Sequence, residues 1–174
     1  MHNVNVEAVE RTAAMAVSDP AAVVNAVRFT GGFDVEEGRP QFRGTIAFPG
    51  GETIFEADFP PPMGGTGAAP NPLAYCFWGG LACYAMTFAQ EAARRGIELR
   101  ALRAEVSTDV DLSRALGVSE RPPVEEIEWR LDVDSDAPAE QLDELKLLSD
   151  EHCPGAYCIK NPIALSTSLG PLGD

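Results

Sequence analysis

A chain of 174 residues, 45% hydrophobic and 23% charged, has the size and composition of one globular domain with a core of its own. Its 27 acidic against 13 basic side chains leave a formal net charge of -14, which repels phosphate backbones and anionic lipid surfaces. That balance argues against a nucleic-acid partner, and the acidity itself is read as a device for solubility.

The N-terminal MHNVNVEAVERTAAMAVSDP carries acids early and has neither the basic leader nor the apolar run of a secretory signal, so a cytoplasmic location is expected. Over 4–17, Val6, Val9, Ala13, Ala16 and Val17 fall at helical spacing ahead of Pro20, which predicts a short amphipathic helix. Residues 1–20 are read as an extension and 21–174 as the domain proper. Three β-like runs follow, VVNAVRFT (23–30), FRGTIAF (42–48) and ETIFEADF (52–59), punctuated by TGGFD, FPGG and PPPMGG, and they predict an antiparallel meander. The segment PPPMGGTGAAPN (60–71) is a loop by composition. Its GGTG is no phosphate cradle, because no Gly-Lys-Ser/Thr follows and the third glycine of GxGxxG is missing.

From Pro72 to Ala89 eighteen residues run without a charge, nominally long enough for a membrane span. The run opens on a proline, holds Gly79 and Gly80 half-way, contains two tyrosines and a threonine, and has no basic flank on its N-terminal side. A buried helix in a soluble core fits these features better. It is predicted to run to about Arg95, with Gly96 supplying the left-handed residue that ends it. ELRALRAEVSTDVDL (98–112) and VEEIEWRLDVD (124–134) alternate apolar and polar side chains and predict a hairpin around the polar loop SRALGVSERPP. SDAPAEQLDELKLLSDEHC has a start signal in Asp136 and Pro138 and leucines at helical spacing, so a second long helix should reach about His152. CPGAYC follows, and NPIALSTSL is read as a last strand. The order helix, βββ, α, ββ, α, β is that of an α+β domain.

Four cysteines in a cytoplasmic chain of this size turn attention from structural disulfides to redox or metal chemistry. The spacings C-x6-C and C-x4-C do not match the usual C-x2-C zinc knuckles, and His152 is the one imidazole away from the terminus, so neither a metal nor another cofactor is expected. Cys76 is read as a small core hydrophobe. On one helix Cys76 and Cys83 lie about 10 Å apart along the axis, out of disulfide reach of each other but on one face. CPGAYC is expected to lie across that face. Its proline is favoured at a first helical position, which makes Cys153 a candidate N-cap with a stabilised thiolate. Gly79 and Gly80 weaken the helix by about 1 kcal/mol each relative to alanine, a cost tolerated where another backbone approaches closely.

NPLAYCFWGGLACYAMTFAQEAARRGIEL resembles the central-helix motif of the OsmC/Ohr family (osmotically inducible protein C and organic hydroperoxide resistance protein), in which an Asn/Ser-Pro opens the helix and a cysteine follows eleven residues after the proline. Pro72 to Cys83 has that spacing. HCPGAYCIKNPIALSTSL is similar to the family's second motif, a Cys-Pro between a helix and the last strand, and Cys153 matches its cysteine. The resemblance covers about 23–169. It implies an OsmC-like fold: an intertwined homodimer in which antiparallel β-sheets enclose the central helices, here with an extra N-terminal helix. It also implies a thiol peroxidase, with Cys83 attacking the peroxide O–O bond and Cys153 resolving the sulfenic acid to a disulfide that a thiol or dithiol reductant reopens. Phe77, Trp78, Tyr84, Met86 and Phe88 are either the lining of an apolar substrate pocket or plain core.

The chain also departs from the family pattern. In the peroxidases an acid follows the helix-opening proline and orients a catalytic arginine near the first β-turn; here Leu73 takes the acid's position, and TGGF puts Phe33 where some members carry arginine. Arg39 or Arg43 is the candidate replacement cation, with Glu37, Glu56 or Asp58 as its acid, against the plainer reading of all five as solvated charges. Cys76 and Cys158 stand outside the two motif positions. The competing reading is a non-catalytic OsmC-fold protein that binds an apolar ligand or partner, or senses redox state. A third, hydrolysis with His152 as base, lacks an orienting acid in the sequence.

Overall fold

A computed structural model describes residues 3–171, so the ends of the two expected segments, 1–20 and 21–174, lie partly outside it. The amphipathic N-terminal run forms helix α1 (Val6–Ser18), whose first turn is capped by the Asn5 side chain accepting from the Ala8 N–H at 3.0 Å. A three-stranded antiparallel sheet follows in the order β1 (Thr30–Phe33), β2 (Phe42–Phe48), β3 (Gly51–Ala57), with Phe42 opposite Phe33 on one side and Ala57 on the other. The uncharged run is helix α2 (Pro72–Arg94), opened by Asn71, whose side chain accepts from the Leu73 N–H at 2.9 Å, and followed by Gly96 at φ 68°. Strands β4 (Ala101–Ser107) and β5 (Glu128–Asp134) form the expected hairpin. Helices α3 (Ala139–His152) and α4 (Pro154–Lys160) complete the mixed α+β architecture.

Two expected strands differ. The first, 23–30, contributes only its last residue: Pro20–Val23 is a 3-10 turn, and β1 is the TGGF that had read as punctuation. The first of its two glycines serves packing, since a Cβ on Gly31 would lie 2.6 Å from the Phe42 ring and 2.8 Å from the Arg43 carbonyl oxygen. The last, 161–169, is extended and exposed and pairs with no strand among the described residues. Alternating apolar residues make a strand only when a neighbouring backbone supplies the other half of the ladder.

The core lies along one face of α2. Phe88 and Ala92 pack with Leu145 of α3, and Leu102, Leu131 and Val133 of the hairpin close over them. Leu145 has no exposed surface, a burial worth about 1.5–3 kcal/mol. The three-stranded sheet instead meets α2 near its start, where Phe55 and Tyr75 stack edge-on with centroids 5.3 Å apart and the Tyr75 hydroxyl donates to the Glu56 carbonyl at 2.8 Å. Among the described residues no helix is long and apolar enough to cross a membrane.

Candidate active site

Helix α4 lies across α2 at the level of Cys83. A Cβ on Gly155 would sit 2.9 Å from the Cys83 Cβ, 3.3 Å from its sulfur and 3.4 Å from the Gly80 Cα. Gly80 is equally constrained, because its own added Cβ would meet Ile159 Cδ1 at 2.7 Å and the Trp129 ring at 2.9 Å. The close approach expected of the glycine pair is therefore made at Gly80 alone; Gly79 faces open space. Gly80 and Gly155 let the two helices touch, and the contact carries Cys153 to Cys83.

Cys153 is 1% exposed and clusters with Tyr84 and Ala156, with Cys83, Trp129 and Leu131 packed against them. It is the N-cap of α4, as its Cys-Pro predicted, and its sulfur accepts from the Ala156 N–H at 3.3 Å. Cys83 is half-buried, packed against the Cys153 cluster and directly beneath Gly155. Burial pushes the Cys83 thiol up, the Gly155 N–H pulls it down, and the Cys153 and Cys158 thiols raise it further, so the net shift is upward. None of these influences is a cation. All four cysteines are free thiols.

Other candidate residues fall elsewhere. Arg39 pairs with Glu36 at 2.8 Å and Asp34 at 3.5 Å, and Arg43 stands 3.8 Å from Glu56, each arginine side chain 60% exposed. They are surface ion pairs, and Glu37 is exposed as well. Asp58 is buried but turned to its own loop, where Oδ2 accepts from the Thr66 hydroxyl at 2.7 Å and from the Thr66 and Ala68 N–H groups at 3.1 and 3.0 Å. Cys76, expected in the core, is exposed, because α4 crosses α2 at Gly80 and Cys83, a turn or more beyond it. Tyr84 and Phe88 are core, whereas Trp78 lines an apolar cavity of about 560 Å³ with Phe29, Phe42, Phe55 and Tyr75, next to Gly79.

Sequence reasoning passed over Glu91. It lies two turns beyond Cys83 on α2, 1% exposed, and binds Arg94 at 3.3 Å, Arg95, and His152 Nδ1 at 3.0 Å. His152 thus has a carboxylate partner that was not evident in the sequence. The available signal was an Arg-Arg pair three and four residues after a lone glutamate in an apolar helix. Among the described residues, no three His, Cys, Asp or Glu side chains converge to hold a metal ion.

The OsmC-like protein family profile matches residues 65–168, a stretch that spans both cysteine motifs and more than half of the chain. The chain belongs to the OsmC-like family. The OsmC-like assignment agrees with its fold. An OsmC-like protein from Mycoplasma pneumoniae superposes with a TM-score of 0.57 at 16% identity, covering 78% of this chain and 88% of that one. An OsmC-like protein of unknown function from Vibrio cholerae gives 0.55 at 12% identity, over 77% and 93%. An organic hydroperoxide resistance protein OsmC from Legionella pneumophila gives 0.52 at 17% identity, over 79% and 92%. At these identities the likeness is one of OsmC-like fold. No curated protein matches the chain.

Proposed function

We propose that this OsmC-like protein is a thiol-dependent peroxidase of organic hydroperoxides or related peroxides, with Cys83 as the attacking thiol and Cys153 as its resolving partner. One observation carries the reading: the two motif cysteines, seventy residues apart in sequence, share one packed cluster at the α2–α4 crossing. In the reaction the Cys83 thiolate attacks the O–O bond, the distal oxygen stays on sulfur as a sulfenic acid, and the alcohol leaves. Cys153 then displaces water from the sulfenic acid and a disulfide forms. A thiol or dithiol reductant reopens it. The Gly155 N–H, which pulls the Cys83 thiol down, stabilises developing negative charge there.

A second copy of the chain completes the domain in this proposal. The β-patterned segments near the two ends of the domain expose Val24, Val27 and Phe29, and Ile163, Leu165 and Leu169, and a homodimer gives them a ladder and cover. The domain is taken as 21–174, with 1–20 as an extension, in the cytoplasm. Neither nucleic acid nor membrane enters the proposal.

The upward shift of Cys83 and the absence of a cation among the groups acting on it favour a second reading, a non-catalytic protein that binds an apolar ligand in the cavity beside Gly79. The test is a free-thiol count on reduced protein before and after one equivalent of cumene hydroperoxide, repeated with hydrogen peroxide and with Cys83→Ser. Rapid loss of two thiols, absent in the variant, is expected of the peroxidase. No rapid loss turns the reading to ligand binding.

A further inference from the structure

Helix α4 carries a third thiol that this chemistry leaves unused. Residues 155, 158 and 159 are spaced i, i+3 and i+4 and share one helix face. Gly155 sits on Cys83 and Ile159 on Gly80, so Cys158 belongs to the face that α4 turns to α2, at its exposed edge. It is also among the groups that push the Cys83 thiol up. Cys153, by contrast, is 1% exposed, which closes its sulfur to any external reductant.

We propose that Cys158 is the exit thiol of a three-cysteine relay: once Cys83 and Cys153 are joined, Cys158 exchanges onto Cys83 and brings the disulfide to the surface, where a protein dithiol opens it. The relay rests on the Cys83–Cys153 pair of the proposed function. In the exchange the Cys158 thiolate forms a bond to the Cys83 sulfur, the Cys83–Cys153 bond breaks, and its electron pair leaves on Cys153. That leaving sulfur already accepts the Ala156 N–H at 3.3 Å, so a donor is in place as the charge arrives on it. The proton lost by Cys158 is regained by Cys153. One disulfide and one thiol stand on each side, so no further oxidant is consumed. Attack by Cys158 on Cys153 instead is disfavoured by reach: five residues of helix rise about 7.5 Å, past the usual Cα separation of a disulfide. Cys76 lies about 10 Å along α2 from Cys83 and serves as the exposed-thiol control.

The experiment oxidises the full-length protein with diamide, so that disulfide formation does not depend on peroxide chemistry, and maps the pairings by mass spectrometry after acid quench at successive times. Wild type and Cys76→Ser are expected to pass from Cys83–Cys153 to a mixture containing Cys83–Cys158. Cys158→Ser should stop at Cys83–Cys153 and be reduced by a protein dithiol such as thioredoxin about tenfold more slowly, with reduction by small dithiothreitol changed far less. Cys83–Cys153 as the sole pairing in wild type at every time, or reduction of Cys158→Ser by thioredoxin at the wild-type rate, overturns the relay. A parallel arm with cumene hydroperoxide separates the two ideas: disulfide exchange in diamide with no oxidation by peroxide supports the relay and overturns the peroxidase reading.

Discussion

Asp58 is 2% exposed, and its Oδ2 takes hydrogen bonds from the loop into which its own strand leads. The hydroxyl of Thr66 above all, then the Ala68 N–H, hold its carboxyl below the usual aspartate range. The GGTG segment thus does present N–H groups to an anion, but the anion is the chain's own. A depressed carboxylate contributes stability that is present above its unfolded pKa and is lost as pH falls through the lower folded value. Asp58→Asn should therefore lower the melting temperature most at neutral pH, and its melting curve should converge on wild type as the solution is acidified below the ordinary aspartate range. Parallel curves across that range would show that the charge contributes nothing.

Between elements, two contacts fix how the helices sit. At the α2–α4 crossing, Gly155→Ala drives a methyl to 2.9 Å from the Cys83 Cβ, and overpacking of this kind costs about 1–3 kcal/mol. Gly79→Ala meets nothing within 4 Å and should stabilise α2 by up to about 1 kcal/mol. Chemical denaturation of the two variants should give shifts of opposite sign; a shared sign would mean that the crossing is not set by close backbone approach. The second contact is Glu91, which binds α2's own arginines and His152 of α3, while Arg94 also takes Glu10 of α1 at 2.7 Å. Burial raises the Glu91 carboxyl, but the hydrogen bonds from His152 and Arg95 and the charges of both arginines outweigh it and leave it depressed. Because the arginine side chains are about one-third exposed, Glu91→Gln should cost about 1–2 kcal/mol, toward the low end for a charged hydrogen bond. The loss should shrink as pH falls through the depressed carboxylate pKa, where wild type sheds the same charge. Urea melts at neutral and acidic pH measure both.

For the whole molecule, apolar side chains outside the α2 core need cover. Val24 is 78% exposed, Phe33 65% and Leu165 88%, and they lie on extended segments or on the small sheet rather than on the helical core. The proposed homodimer would remove this surface from water, and light scattering should then give twice the chain mass. Leu165→Asp, a change in an exposed segment that leaves the α2 core intact, should shift the mass toward the monomer with helical circular dichroism retained. A wild-type monomer with its thiol chemistry intact would remove the second copy from the proposal.

The sequence by itself determined helices α1, α2 and α3, the extent of α2 from Pro72 to its Gly96 stop, the β4–β5 hairpin, and the two cysteine motifs, because helical and strand periodicity and the chemistry of Asn-Pro, Cys-Pro and glycine act locally. It also marked the Gly79–Gly80 pair as a place of close approach. Only the tertiary structure decided which glycine of the pair is packed, that Cys76 is exposed while Cys153 is buried, and that Asp58 serves its loop rather than a thiol. It alone placed His152 on Glu91, sixty-one residues away. Those outcomes depend on where α4, the hairpin and the small sheet cross α2. Such crossings are set by the shapes of side chains distant in the chain, which no local pattern encodes.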